Sequence, residues 1–290
     1  MGTAWLRLLV LVGFAATAAA ESAFYVNYDQ NVPTAPLRLF PTSIVHPQAK
    51  VDIAAAHKSG NRVLAYISVG EVAADADYRD LATSRGLRLR GRNPVWNSDI
   101  IDLSDAGWID LLVNEVAASA YAKGFDGLFL DTLDSIDPRD RAAAIELVTR
   151  LRALDPERTI VANRGFGLLG DLIDVVDGVL AESVFGTVNL ATGTYSAVEP
   201  GQSDQLVTEL TRWEDSGLEV FVLDYADPQD AARALEISDL IAEQGWSAFV
   251  STPELRGACL GPWRQVPRRV YSLYGNLARE LTDQILWPVD

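Results

Sequence analysis

Thiol and imidazole side chains are scarce in this chain of 290 residues, which has one cysteine, Cys259, and two histidines, His46 and His57. A lone cysteine excludes an internal disulfide, and two histidines are too few for a His-rich metal site. We therefore expect a packed core to stabilise the fold, without a resident metal or other cofactor.

Long apolar runs are also rare, and the one candidate lies at the N-terminus. Arg7 precedes an apolar run over residues 8–14 and small residues that end at Ala20. This pattern is typical of a secretory leader cleaved before Glu21, whereas the alternative, a membrane anchor, needs about 20 apolar residues. No later stretch could span a bilayer. We therefore expect a soluble mature protein, secreted or periplasmic, without membrane contact after cleavage.

Basic residues are few relative to acidic ones. The chain has 24 Lys and Arg against 40 Asp and Glu, which gives a formal charge of −16. Removing the leader takes away Arg7 and no acid, so the mature chain carries 23 minus 40, or −17. Such a surface repels phosphate backbones and attracts cationic polymers. Nucleic acid and anionic membranes are therefore poor partners. Alternatively, the acidity only keeps the protein soluble.

Short β-branched or aromatic runs alternate with longer segments of helical periodicity, which is the pattern of repeated βα units. Eight strands are predicted at 23–28, 43–46, 62–69, 127–131, 159–163, 178–182, 219–224 and 247–251. Helices are predicted at 51–59, 106–123, 138–154, 167–176, 203–216 and 228–244. This pattern indicates an α/β fold, a single-domain (β/α)8 TIM-type barrel. We expect a signal peptide over 1–20, the barrel over 21–256, and a C-terminal extension over 257–290 that packs on or trails from it.

Local signals mark some of the helix ends. Asp105 is a candidate N-cap, Gly124 suits a left-handed position after the same helix, and Pro138 and Pro228 suit first helical turns. The segment 71–103 is too long for an ordinary βα loop, so we expect it to shape the binding site.

Barrel enzymes build their active sites at the C-terminal ends of the strands. No glycine-rich phosphate loop follows the first strand here, so a nucleotide is not expected. The strand ends instead carry acids and other polar or aromatic residues, namely Tyr28, Asp29, Glu71, Asp131, Asp134, Asn163, Arg164, Glu182, Asp224 and Tyr225.

Two of these acids share a local pattern. Asp131 and Glu182 each lie five residues after the Asp of an Asp-Gly pair, at 126–127 and 177–178. If the pairs mark equivalent strand starts, both acids lie at one height on alternate strands and face inward. Their carboxyl groups could then approach the separation of about 5 to 5.5 Å in a retaining glycosidase or about 6.5 to 9.5 Å in an inverting one.

Aromatic residues near the mouth suit a carbohydrate ligand, because sugar rings pack on aromatic planes and amino sugars add a cation–π attraction. The candidates are Tyr28, Tyr66, Trp96 and Tyr225, for each of which core or rim packing is the alternative. Packing roles are predicted for Trp213, Trp246 and Trp263.

Two rival chemistries are weaker. Clustered acids could hold Mg²⁺ or Ca²⁺, but the acids are spread over different strands and His-x-His is absent. A Ser-His-Asp triad is disfavoured because the chain has no Gly-x-Ser-x-Gly elbow.

Four blocks carry a family likeness: YISVGE at 66–71, GFDGLFLDTLDS at 124–135, NRGF at 163–166 and AES at 181–183. They resemble the glycoside hydrolase family 114 and 166 group, which comprises endo-α-1,4-polygalactosaminidases and the hydrolase domain of the Pel exopolysaccharide protein. The resemblance implies a metal-free (β/α)-barrel endo-hydrolase of partly deacetylated α-1,4-linked galactosamine polymers. The paired acids of the family fall on Asp131 and Glu182. Residues 93–99 resemble the substrate loop of this family. The resemblance therefore makes Asp99 a candidate substrate contact, in addition to Trp96.

The leading hypothesis is therefore endo-hydrolysis of a cationic galactosamine-rich exopolysaccharide, such as a biofilm polymer, by a monomeric enzyme. Asp131 is expected as nucleophile and Glu182 as acid/base of a retaining mechanism, although the two roles could be exchanged. A carbohydrate-binding barrel without turnover and a metal-dependent hydrolase are the alternatives. Substrate contacts are expected from Tyr28, Asp29, Tyr66, Glu71, Trp96, Asp99, Asp134, Asn163, Arg164, Asp224 and Tyr225.

Overall fold

The computed structural model describes residues 23–74, 76 and 78–261. The predicted leader, and the predicted C-terminal extension beyond residue 261 with Trp263, lie outside the described residues. Among the described helices, none combines the length and apolar character that a membrane crossing requires.

Eight parallel strands form the central sheet, where the sequence predicts them. The strands of the described chain are β1 (Phe24–Asn27), β2 (Thr42–Val45), β3 (Arg62–Ser68), β4 (Glu71–Ala73), β5 (Leu89–Asn93), β6 (Ser98–Ile101), β7 (Gly127–Asp131), β8 (Thr159–Asn163), β9 (Gly178–Glu182), β10 (Gly186–Asn189), β11 (Thr194–Ala197), β12 (Glu219–Tyr225) and β13 (Ser247–Ser251). The order in the central sheet is β1-β2-β3-β7-β8-β9-β12-β13. A parallel bridge between Ala23 and Ala248 joins the two edge strands. The predicted TIM-type barrel is confirmed.

The pairing register has the stagger of a TIM barrel. Following paired positions from Phe24 through all eight strands and back across the Ala23–Ala248 bridge returns to a position equivalent to 16, which is 24 minus 8. A shear of eight over eight strands means that residues at one height advance by about one position per strand.

Helices connect most of the strands. They are α1 (Thr34–Leu37), α2 (Ile53–Lys58), α3 (Arg79–Ser84), α4 (Ala106–Leu111), α5 (Ala118–Ala122), α6 (Arg141–Leu154), α7 (Phe166–Leu172), α8 (Pro200–Asp215) and α9 (Ala231–Glu243). A π-helical stretch, Leu112–Ala117, joins α4 to α5, so the predicted helix over 106–123 is continuous with a widened centre.

The predicted helix ends are mostly confirmed. The Asp105 side chain accepts a hydrogen bond from the Gly107 N–H at 3.1 Å, and Gly124 has a φ of 96°. Pro138 starts a short 3-10 turn before α6. The prediction for Pro228 is wrong, because α9 begins only at Ala231, where the Asp230 side chain caps the helix.

Aromatic rings fill part of the barrel interior. The ring centroid of Phe24 lies 5.2 Å from that of Phe221 and 5.8 Å from that of Phe249. Trp213 and Trp246 are buried, so their predicted packing roles are confirmed.

The predicted long loop after β3 is a folded insert. Its strands form an antiparallel sheet in the order β4-β6-β5. Arg90 on β5 contacts Asp102 at 2.9 Å and the buried Asp140, after β7, at 2.7 Å. These ion pairs fix the insert beside the C-terminal end of β7.

Candidate active site

Asp131, Asn163 and Glu182 are the last residues of three neighbouring strands, β7, β8 and β9. The residues that follow them have left-handed backbones, with φ values of 63°, 52° and 59° at Thr132, Arg164 and Ser183. A left-handed backbone costs a non-glycine residue roughly 1–2 kcal/mol, and such strain concentrates at functional sites. The left-handed backbone turns the chain sharply at each strand end, just after the residue that carries the polar side chain.

The register puts the two acids at one height. Leu130 pairs with Ala162, so Asp131 lies opposite Asn163, which pairs with Leu180. Glu182 lies two positions beyond Leu180, and the barrel advances about one position per strand. Across two strands this stagger returns Glu182 to the height of Asp131, as the matched Asp-Gly spacing predicts.

One amide nitrogen joins the two carboxylates. Asn163 Nδ2 donates to Asp131 Oδ1 at 2.7 Å and to Glu182 Oε1 at 2.8 Å. The sum of these bonds limits the distance between the two oxygens to 5.5 Å at most. This limit agrees with the short carboxyl separation of retaining glycosidases, about 5 to 5.5 Å.

Each acid has a tyrosine donor on its other oxygen. Tyr66 Oη on β3 donates to Asp131 Oδ2 at 2.8 Å, and Tyr225 Oη on β12 donates to Glu182 Oε2. The Thr132 N–H adds a bond of 2.7 Å to Asp131 Oδ1. Asp131 thus accepts three hydrogen bonds, whereas Glu182 accepts two.

Burial raises the pKa of both Asp131 and Glu182 above the usual range, while their hydrogen bonds oppose the shift. After burial, the next-largest effect on the pKa differs between the two acids. The charge of Asp131 raises the pKa of Glu182 further, whereas the second-largest effect on Asp131, the Tyr66 bond, lowers its pKa. The surroundings therefore favour a proton on Glu182 and a charge on Asp131.

Three tyrosines surround the acid pair. Burial, followed by the charges of nearby carboxylates, raises the pKa of Tyr28, Tyr66 and Tyr225 well above the usual range. They therefore stay hydroxyl donors at neutral pH. The ring centroids of Tyr28 and Tyr66 lie 4.6 Å apart, and the His46 ring lies 6.4 Å from that of Tyr66. The sequence reasoning missed His46, whose place beside Tyr66 depends on the pairing of β2 with β3.

Thr132 links the end of β7 to the end of β3, which the sequence reasoning also missed. Its Oγ1 accepts from the Gly70 N–H at 2.8 Å and lies 2.9 Å from Ser68 Oγ. A Cβ at position 70 would lie 2.3 Å from the Thr132 carbonyl oxygen, so only glycine fits there. Gly70, a glycine just after a strand, was the feature of the sequence that could have indicated this close contact.

Four of the predicted contact residues lie at the rim. Arg164 Nε lies 3.6 Å from Asp134 Oδ2, and Asp29 pairs with Arg256 at 3.6 Å. Trp96, in the turn between β5 and β6, is 59% exposed. The roles of these residues in substrate binding stay predictions.

Glu71 and Asp99 do not have the substrate-facing position that the sequence suggested. Glu71 is only 3% exposed, and its carboxylate accepts hydrogen bonds from the side chains of Asn93, Ser98 and Ser135. Asp99 is buried and pairs with Arg79. Glu71 thus links the insert to Ser135, and Asp99 forms its ion pair within the insert, which corrects their predicted substrate contacts.

Asp224 is also corrected. It is 0% exposed, and its carboxylate accepts from the backbone N–H groups of Val184, Phe185 and Gly186 at 2.7, 2.6 and 2.8 Å. These residues follow Glu182 and Ser183 directly. Asp224 therefore orders the loop after Glu182 and is sealed from a ligand.

Within residues 23–74, 76 and 78–261, no three His, Cys, Asp or Glu side chains come together in a way that could hold a metal ion.

An eight-stranded parallel barrel with a close pair of carboxylates at its C-terminal strand ends defines a class of protein, the barrel glycoside hydrolases. Comparison with known families agrees. The profile of glycoside-hydrolase family GH114 matches residues 15–271. The chain belongs to this family and is a glycoside hydrolase.

Solved structures extend the likeness. The glycoside hydrolase domain of PelA from Pseudomonas aeruginosa is 30% identical with a TM-score of 0.72, over 81% of this chain and 96% of that one. Ega3 from Aspergillus fumigatus, solved in complex with galactosamine, is 14% identical with a TM-score of 0.62, over 82% of this chain and 94% of that one. The second likeness shows the fold alone. A search of curated protein sequences found no match.

Proposed function

We propose that this glycoside hydrolase is secreted and cleaves α-1,4-linked, galactosamine-rich exopolysaccharide within the chain, with retention at the anomeric carbon. The observation that carries the proposal is the pair of carboxylates on one amide nitrogen, whose nearest oxygens are at most 5.5 Å apart. An inverting enzyme needs room for a water molecule between the acid and the sugar, and its carboxyl groups lie about 6.5 to 9.5 Å apart.

Asp131 is the proposed nucleophile and Glu182 the proposed acid/base. Three hydrogen bonds stabilise the ionised form of Asp131, whereas the charge of Asp131 favours a proton on Glu182. Glu182 donates that proton to the glycosidic oxygen while a carboxylate oxygen of Asp131 bonds to the anomeric carbon. The bond between the anomeric carbon and the glycosidic oxygen breaks, and the rest of the polymer leaves as the alcohol. Glu182 then takes a proton from water, which displaces Asp131 and restores both groups.

A cationic amino-sugar polymer is the proposed substrate. Support comes from membership of GH114 and from the formal charge of −16. An acidic protein attracts a polymer that bears ammonium groups. The exposed Trp96 offers a surface on which a sugar ring could stack. Secretion is inferred from the leader-like sequence at residues 1–20.

Release of reducing ends from partly deacetylated α-1,4-polygalactosamine tests the proposal. The wild type should release a ladder of oligosaccharides, and Asp131→Asn should lower the rate by about 10³-fold or more. Asp171→Asn is the matched control, because Asp171 lies on the outer helix α7, where it pairs with Arg141. The control should retain the wild-type rate.

Other outcomes would contradict the proposal. Equal rates for wild type and Asp131→Asn would remove Asp131 from the chemistry. Polymer binding without new reducing ends would indicate a binding barrel, and activity lost to a chelator and restored by a divalent ion would indicate a metal-dependent hydrolase.

A further inference from the structure

Asn163 has no amide hydrogen left for a ligand. Its Nδ2 carries two hydrogens, and the bonds of 2.7 and 2.8 Å to Asp131 and Glu182 use both. The amide cannot be turned over, because its carbonyl oxygen would then face two carboxylate oxygens. The orientation is therefore fixed by the acids themselves.

The other end of the same amide is sealed. Asn163 is 6% exposed, and its Oδ1 is buried without a hydrogen-bond partner in the described structure. A buried polar atom without a partner costs roughly 1–3 kcal/mol, so it is retained only where another interaction offsets it. The two bonds to carboxylates are charge-assisted and supply that offset.

We propose that Asn163 is a positioning residue, which fixes the separation of Asp131 and Glu182 and favours their ionised forms without contacting the substrate. This replaces the expectation from the sequence that Asn163 contacts the sugar. The inference rests on the proposed two-carboxylate function.

Several other groups act on the same pair. The Asn163 bonds lower the pKa of both acids, against the raising effect of burial. The titratable or charged groups that face the pair from the surrounding elements are Tyr28, Tyr66, Asp134, Arg164 and Tyr225. A substitution at position 163 leaves all of them in place.

Loss of the amide should therefore move the pH profile. Activity needs Asp131 ionised, which sets the acidic limb, and Glu182 protonated, which sets the basic limb. Without Asn163 the pKa of both acids rises, so both limbs of the bell move to higher pH. A purely structural defect lowers the rate without moving the limbs.

The test uses Asn163→Ala and the isosteric Asn163→Asp, with Asn27→Ala as control. Asn27 also ends a barrel strand and is 2% exposed, but its Nδ2 donates to Tyr25 Oη at 2.8 Å. Asn163→Ala should lower kcat about 10²-fold, with KM within about threefold and both limbs at higher pH. Asn163→Asp adds a third carboxylate and should lower kcat further. In Asn27→Ala the limbs should stay in place.

A raised KM with unchanged kcat would overturn the proposal in favour of a substrate contact, and unmoved limbs in both Asn163 variants would overturn it outright. Carbon-13 NMR titration of the Asp131 and Glu182 carboxyl groups in the ligand-free proteins measures the change in their pKa values directly, without any substrate. If the wild type does not release product, the proposed function fails, yet the titration still decides the role of Asn163. Carboxyl pKa values unchanged by Asn163→Ala would contradict it.

Discussion

Replacing Asp224 by asparagine should remove a pH dependence from the stability of the protein. Burial raises the pKa of Asp224 to about 6 from the usual 3.8, although three backbone N–H bonds oppose the shift. Because its folded pKa is the higher one, the folded protein binds a proton more tightly than the unfolded chain. This group therefore adds stability as the pH falls through the window between about 6 and 3.8.

The size of the effect follows from the two pKa values. The gap between about 6 and 3.8 corresponds to about 3 kcal/mol at full titration. About 2 kcal/mol of this should be gained between about pH 7.5 and about pH 4.5. Asparagine binds no proton, so Asp224→Asn should lack that gain.

Urea unfolding of both proteins at the two pH values, followed by tryptophan fluorescence, measures the free energies of unfolding. Every other titratable group is common to the two proteins, so the difference between them isolates Asp224. A difference that does not change between the two pH values would refute the reasoning. A difference of opposite sign would mean that the backbone N–H bonds outweigh burial.

Three further substitutions test the surroundings of the acid pair. Tyr66→Phe removes a donor that lowers the pKa of Asp131, so the acidic limb of the kcat/KM profile should move to higher pH; a shift of the basic limb alone would contradict this. Tyr225→Phe should instead move the basic limb upward, because Glu182 loses its donor, and an unmoved basic limb would count against the contact. Gly70→Ala places a methyl carbon 2.3 Å from a backbone oxygen, which should lower the free energy of unfolding by about 1–3 kcal/mol in urea; wild-type stability would show that the loop yields.

The carboxylate pair could be predicted because the Asp-Gly spacing has a physical cause. Asp126 accepts from the Val63 N–H, and Asp177 accepts from the Ile160 N–H, each at 2.7 Å. A Cβ on Gly127 would lie 2.1 Å from a backbone oxygen of the next strand, so the strands approach too closely for any other residue. The two Asp-Gly pairs therefore mark equivalent strand starts. Residues the same number of positions after each pair, such as Asp131 and Glu182, then lie at the same height in the barrel.

The roles of Asn163, Glu71 and Asp224 could not be predicted in this way. Each depends on partners far along the chain; Glu71, for example, accepts from Ser135, 64 residues away. The left-handed residues after β7, β8 and β9 also could not be predicted from the sequence, because none of the three is glycine. The sequence around an acid at the end of a strand is the same whether its side chain faces a ligand or is buried behind a loop.

Azide rescue of two variants tests the central assignment most directly. An activated galactosaminyl oligosaccharide, such as a fluoride, needs no proton to release its leaving group, so azide can replace the missing carboxylate. If Asp131 is the nucleophile and Glu182 the acid/base, Asp131→Ala should give a glycosyl azide of inverted configuration and Glu182→Ala one of retained configuration. The opposite pair of configurations would exchange the two roles, and inversion by both variants would contradict a retaining mechanism.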